Sequence, residues 1–274
     1  MSHYSSLPDT LRVRIEGPVR VVTITRAEAK NAIDGDLHHG LTDVFRLLRE
    51  DGDARAVLLN AEGDIFSAGG DYTWFQELQN DRLALERSVE EGWTLLDALI
   101  RFPLPLVTAI QGGAVGVAAS IGILSDIVVM SEDGFYRDTH VKLGMTAADG
   151  GLAWSMSAGL QIAKEYVLLG DRLTAAEAYR LGMVNRVVPR ADLERVSRDY
   201  AERLAALPSR AVRTTKRGFN MQLERLGGGA FEYALASELV SLMSPEHAQT
   251  VSKLADRSIS RSPAEGSDPA AEDS

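Results

Sequence analysis

Residues 105–130 read PLVTAIQGGAVGVAASIGILSDIVVM, and the fold class follows from this stretch. Pro105–Ile110 is a short apolar run with β-branched residues, as in a buried strand. Gln111–Gly116 is a glycine-bearing turn. Residues 117–125 are small and apolar, as in a helix packed tightly on its neighbours. Asp126–Met130 is a second buried strand. Strands separated by a helix imply βα units with mainly parallel strands.

The same alternation extends in both directions. Val19–Thr25 is rich in β-branched residues and predicts a strand. Leu37, Leu41, Val44, Phe45 and Leu48 share one helical face, with Asp34 or Asp36 as cap. Ala56–Asn60 predicts another strand, and the turn FSAGGDY follows at 66–72. Val89, Trp93, Leu96 and Ile100 predict the apolar face of a further helix. Beyond Trp154, Thr174 and Glu177 form a capping box, and Gly182 ends that helix. Val187–Pro189 predicts a short strand. Leu193, Val196, Tyr200 and Leu204 mark a helix closed by Pro208. The chain is mostly helical from Ser209 to about Arg257. The tail over 258–274 is polar, acidic and rich in Ser and Pro, and is expected to be disordered.

Composition narrows the function. The chain has 274 residues, 45% hydrophobic and 25% charged, enough for one large domain or a core with an appendage. A net charge of −10 argues against a nucleic-acid surface, which needs clustered Lys and Arg. The absence of cysteine excludes disulfides, thiolate zinc sites and thiol catalysis. The five histidines show no metal-binding spacing, so no metal is expected. No apolar run reaches membrane-spanning length, and the N-terminus lacks the pattern of a signal peptide. A cytoplasmic protein without membrane or nucleic-acid partners is expected.

The turns at 66–72 and 111–116 share a layout of apolar strand, small-residue turn and helix. Each leaves backbone NH groups at a helix start, where the dipole is positive and an anion or developing oxyanion is favoured. Gly69, Gly70 and Gly116 allow positive φ or close approach of a ligand. Taken singly, each turn is better read as a plain backbone turn; the two together raise the functional reading. GGAVGVA does not match a dinucleotide fingerprint, and no Walker A sequence is present. Physical reasoning reaches an oxyanion or phosphate site here.

Four blocks, in order, resemble the crotonase (enoyl-CoA hydratase/isomerase) superfamily: VVTITRAEAKNAID at 21–34, AVLLNAEGDIFSAGGDY at 56–72, PLPLVTAIQGGAVGVAASIGILSDIVV at 103–129 and LLGDRLTAAEAYRLGMVNRVVP at 168–189. The resemblance covers roughly residues 10–257. It implies an α/β fold, a spiral of ββα units over 10–207 with a helical C-terminal region over 208–257, assembled as a homotrimer or dimer of trimers. It implies an acyl-CoA thioester as substrate, coenzyme A entering as part of the substrate, and no prosthetic group. Carried over by position, the oxyanion donors are the NH groups of Gly70 and of Val117, next to Gly116. The Ala68 carbonyl would meet the adenine amino group, with Ala29 along the CoA. Asp71 borders this site or caps its helix. Lys216 matches a basic position that contacts CoA phosphates, or is a solvated helix-face lysine.

The chain departs from the family where hydratases carry two glutamates. Ser120 and His140 stand at those places. The stretch DTHVKLGMTAADGG at 138–151 brings in Asp149, nine residues after His140, so this pair becomes the candidate acid/base couple. It resembles dienoyl-CoA isomerases, which have an Asp in a similar AAD stretch. It also resembles the superfamily's β-diketone hydrolases, which have a His and an Asp nine apart and cleave C–C bonds by retro-Claisen chemistry. Those hydrolases carry a further His where Ala118 and Ala119 stand here. Three functions stay open: hydration/dehydration or isomerisation of an enoyl-CoA, hydrolytic C–C cleavage of a β-dicarbonyl, and a non-catalytic CoA-binding or structural partner. Trp74, Phe75, Leu78 and Trp154 are expected to wall the acyl pocket.

Overall fold

The computed structural model describes residues 3–148 and 150–260. A six-stranded sheet is built from β1 (Leu11–Glu16), β2 (Val19–Ile24), β3 (Ala56–Ala61), β4 (Leu106–Ile110), β6 (Ile127–Ser131) and β9 (Arg186–Val188), in that spatial order. Only β1 runs antiparallel to its neighbour. Side chains alternate between the two faces, as a pleated strand requires. Val22, Ile24, Val57, Leu59, Leu106 and Ile110 face the larger core, with α1 (Gly35–Glu50) and α3 (Arg82–Ile100). Val19, Val21, Ala56, Leu58, Val107 and Ala109 face α8 (Leu193–Ala206). Both faces are covered, which is why these strands read as continuous apolar runs.

A second sheet positions the site. It joins β5 (Gly113–Val115), β7 (Phe135–Arg137) and β8 (Leu173–Thr174), with β5 parallel to β7. Ser67 extends this layer beside Ala114: its NH donates to the Gly113 carbonyl at 3.0 Å, and the Val115 NH donates to its own carbonyl at 3.2 Å. Three parallel segments therefore end side by side. Past their ends lie Gly70, Gly116–Val117 and Asp138–His140.

Local chemistry explains the helix ends. Asp34 caps α1 by accepting from the Leu37 NH, and Thr174 caps α7 (Ala175–Arg180) by accepting from the Glu177 NH. Asp71 caps α2 (Tyr72–Asn80) through the Thr73 NH. α4 (Val117–Leu124) is buried along its whole length. It is followed by α5 (Gly151–Ala158) and α6 (Leu160–Leu169). The C-terminal part comprises α9 (Ser209–Leu242), kinked at Gly228, and α10 (Pro245–Ser260). α10 packs against α2 and against the short turn Val141–Leu143.

Three expectations change. Trp93, assigned to the apolar face of α3, is 37% exposed; Leu95, Leu96 and Leu99 supply that face. Trp154 is not a pocket wall. It is fully buried in the main core, between the rings of Tyr136 and Tyr166. Asp126, expected to open a strand, precedes it and uses its carboxylate to accept from the Leu106 NH at 2.7 Å. The tail expected from 258 lies, from residue 261 onward, outside the described residues. Among the described residues no helix is long and apolar enough to cross a membrane.

Candidate active site

Gly70 sits in a parallel bridge with Ile33. The Ile33 NH donates to the Gly69 carbonyl at 2.8 Å, and the Asp71 NH donates to the Ile33 carbonyl at 2.9 Å. In a parallel bridge the central residue's own NH points the other way. Gly70 and Ile33 both line the principal cavity, and the Gly70 NH has no acceptor among the described residues. The turn is held in place by neighbours. The Ser67 hydroxyl donates to the Asn31 carbonyl at 2.7 Å, and the Ala68 NH donates to the Lys30 carbonyl at 3.0 Å. Lys30 and Asn31 both adopt positive φ, near 55° and 52°, to make this approach.

Gly116 adopts φ 60° and opens α4, a conformation that favours glycine. Its NH donates to the Arg137 carbonyl at 3.0 Å. Val117 is the first residue of α4, and its NH has no acceptor among the described residues, as expected for a helix N-terminus. Val117 lines the same cavity as Gly70. The structure thus brings two unengaged main-chain donors to one space, one of them backed by a helix dipole.

His140 lines this cavity too and is 6% exposed. Its Nδ1 lies 2.9 Å from Asp138 Oδ1, and its backbone NH donates to the same oxygen at 3.0 Å. Asp138 is fully buried. Burial pushes its carboxyl up, but the charge of the His140 ring and the two hydrogen bonds outweigh burial and hold it below the usual carboxylate range. With Nδ1–H directed at Asp138, the ring turns its other nitrogen, Nε2, toward Glu238. The ring lies beside Gly116: His140 Cε1 is 3.7 Å from where a Cβ at 116 would stand, an ordinary contact distance. Glu238, on the part of α9 beyond the kink, brings Oε1 to 4.0 Å from His140 Nε2. It is 6% exposed and lines the cavity.

Ser120 is fully buried. A Cβ at Gly150 would fall 2.0 Å from its hydroxyl, so the backbone of Gly150 is packed directly on it. Asp149 lies outside the described residues.

Trp74, Phe75 and Leu78 of α2 wall the cavity, with Val89 of α3, Leu143, Met145 and Leu242. The carbonyl of Ala68 has no donor among the described residues, and Ala68 is half-buried beside the turn that holds Ala29, its NH bonded to the Lys30 carbonyl. Asp71 spends its carboxylate on the Thr73 NH and on Arg26, 2.9 Å away. Lys216 is a correction. It is 7% exposed, and its Nζ donates to the Leu104 carbonyl at 2.8 Å and to Asp126 Oδ2 at 2.5 Å, with the Phe102 ring alongside. It ties α9 to the sheet and does not reach toward a phosphate.

Asp138, behind His140, and Glu238 and His38, both on the cavity wall, were missed from sequence. Asp138 is two residues before His140. Glu238 and His38 interrupt apolar helical faces, three residues after Leu235 and three before Leu41. A polar residue on such a face was the readable signal.

Comparison with known proteins fits this geometry. The family model for enoyl-CoA hydratase/isomerase matches residues 14–251. The chain belongs to the enoyl-CoA hydratase/isomerase family. It is 31% identical over 216 residues to a probable enoyl-CoA hydratase of Rhodobacter capsulatus, covering 78% of this chain and 82% of that one. It superposes on an enoyl-CoA hydratase/isomerase structure from Mycobacterium paratuberculosis with a TM-score of 0.88 and 35% identity, over 90% and 99% of the two chains. A β-diketone hydrolase from the cyanobacterium Anabaena, bound to (S)-3-oxocyclohexyl acetic acid, is similar at a TM-score of 0.81 and 25% identity, over 89% and 97%. The crotonase-type α/β fold implied by the sequence is the one shared with these structures.

Proposed function

We propose that this enzyme binds an acyl-CoA thioester, forms an enolate on it, and moves protons along that enolate with His140. The observation that carries the proposal is the convergence of the Gly70 and Val117 NH groups and the His140 ring on one cavity. The thioester oxygen would sit between the two NH groups. His140 Nε2 would take a proton from the carbon chain, the electron pair moving onto that oxygen. Asp138 would hold the ring in the Nδ1–H tautomer and stabilise the imidazolium. Return of the proton at another carbon gives double-bond isomerisation. Addition of water to the enoyl chain, with protonation of the enolate, gives hydration. Of the two, isomerisation is better supported, because the buried Ser120 offers no carboxylate to hold water beside a second one. Asp149 and Glu238 are the proposed second proton carriers. Ala68 and Ala29 are proposed to border the CoA.

A second reading is hydrolytic C–C cleavage of a β-dicarbonyl. The likeness to the Anabaena hydrolase and the carboxylate of Glu238 near His140 favour it. One experiment separates the readings. Crotonyl-CoA, a non-conjugated enoyl-CoA, a dienoyl-CoA and a cyclic β-diketone are each incubated with the enzyme and with His140→Ala, and absorbance is followed. We expect turnover of an unsaturated CoA ester, reduced about 100-fold or more in the variant, the scale of a lost general acid/base. Undiminished turnover in His140→Ala removes the acid/base assignment. Turnover of the diketone alone transfers the enzyme to the second reading.

A further inference from the structure

A second histidine faces the cavity from α1. His38 is 7% exposed and lines the cavity together with Trp74, Ser88 and Gly92. Its Nδ1 lies 3.2 Å from Glu91 Oε2 on α3, and its ring packs on Trp74 at 5.2 Å between centroids. The other Glu91 oxygen bonds His39 Nδ1 at 3.0 Å. The bond from His38, and then that from His39, hold the Glu91 carboxyl below its usual range against the opposing effect of burial. The carboxylate therefore claims Nδ1–H and leaves Nε2 as the outward atom. Nε2 has no partner among the described residues. Gly92 is its neighbour on α3: a Cβ there would stand 3.9 Å from Nε2, in ordinary contact. A purely apolar acyl chain offers nothing to this nitrogen, and a buried polar atom facing an apolar ligand is costly.

We infer that His38, oriented by Glu91, is a specificity residue for an acyl group that carries an oxygen, hydroxyl or carbonyl, on the part of the chain remote from the thioester. This deepens the acyl-CoA reading and rests on it. The His38 ring sits beyond the aromatic wall that runs from Phe75, next to Gly70, to Trp74. It is a binding group at the far end of the pocket, distinct in position from His140. As the imidazolium it donates to a carbonyl oxygen. As the neutral ring it accepts from a hydroxyl.

The test is calorimetric titration of the full-length protein with CoA, hexanoyl-CoA, and hexanoyl-CoA bearing a hydroxyl or an oxo group at carbon 4, 5 or 6. At least one oxygenated ester is expected to bind about fivefold to tenfold more tightly than hexanoyl-CoA, the scale of one hydrogen bond. His38→Phe is expected to abolish that preference. Glu91→Gln, which keeps the ring but loosens its orientation, is expected to reduce it, and supplies the test should the first variant fail to fold. Whether the hydroxyl or the oxo series is preferred identifies the oxygen. Equal affinity for plain and oxygenated esters, or an unchanged preference in both variants, overturns the inference while the acyl-CoA reading stands. Failure of every ester to bind more tightly than CoA itself removes both.

Discussion

Gly70 serves two neighbours at once. Its NH faces the cavity, and its missing side chain makes room for Phe75, whose Cζ would lie 2.2 Å from a Cβ at 70. Gly70→Ala is expected to leave the fold intact, because the clash meets the far end of a ring that can turn. The ring would then enter the acyl cavity. Misplacement of substrate by about 1 Å lowers kcat/KM by about 100-fold. Steady-state kinetics beside a thermal melt checks this: an unchanged melting midpoint with lost activity is the expected result, and full activity would place the substrate elsewhere. At this scale the sequence was legible wherever function rests on the backbone. Glycines at a strand-to-helix turn announce exposed NH groups, so the turns at Gly70 and Gly116 could be read from the residues, whereas Val117 entered only through the family resemblance. Asp138 was not, because a side-chain partner is fixed by the direction in which a chain leaves its strand. That direction is set by the pairing of β5 with β7, which no local pattern states.

At the scale of elements, Lys216 gives the clearest lesson. Its place on an exposed-looking helix, SRAVRTTKRG, suggested a solvent-facing cation. What lies beneath that helix settles its direction. Asp126 follows α4, ninety residues earlier in the chain, and presents a carboxylate to which the ammonium turns inward. Burial lowers the Lys216 pKa, with the Asp126 charge and hydrogen bond opposing. Lys216→Ala leaves that carboxylate uncompensated and is expected to cost about 3 kcal/mol of stability. Acyl-CoA affinity is expected to be unchanged. Urea unfolding and calorimetric titration measure the two effects separately; weakened binding at full stability would restore the phosphate role. The strands and helices themselves were legible because both faces of the sheet are covered and the apolar periods are strong. Their ends moved by a residue or so where a polar group, as at Asp126, has work at the boundary.

Across the whole molecule, the C-terminal helices close the site that the core begins. Glu238 enters from α9, and His247 from α10 bonds the Leu143 carbonyl through Nδ1 at 2.9 Å while its ring meets Phe75 edge-on. His247 is 1% exposed. Burial holds its imidazole below the ordinary value, the Leu143 bond opposing and the charge of His140 adding. A lowered folded pKa means that the unfolded chain takes up the proton first. The stability concerned is complete above about pH 6.5, the unfolded value, and is lost as pH falls through that value toward the folded one. The protection of α10 amides, taken relative to their intrinsic exchange rate at each pH, is therefore expected to fall between pH 7 and pH 5.5, and His247→Gln to flatten that response. Equal acid sensitivity in the variant would assign it to other groups. This division of labour also bears on how such an enzyme diversifies. The proposed oxyanion donors are main-chain groups, so a side-chain substitution other than proline at either position does not delete the donor, and change is channelled into the side chains that face them. Gly150 adds a second restraint of this kind: any side chain there would have to displace the Ser120 hydroxyl, so positions 120 and 150 are constrained jointly, and paired rather than single substitutions would map what this corner of the fold tolerates.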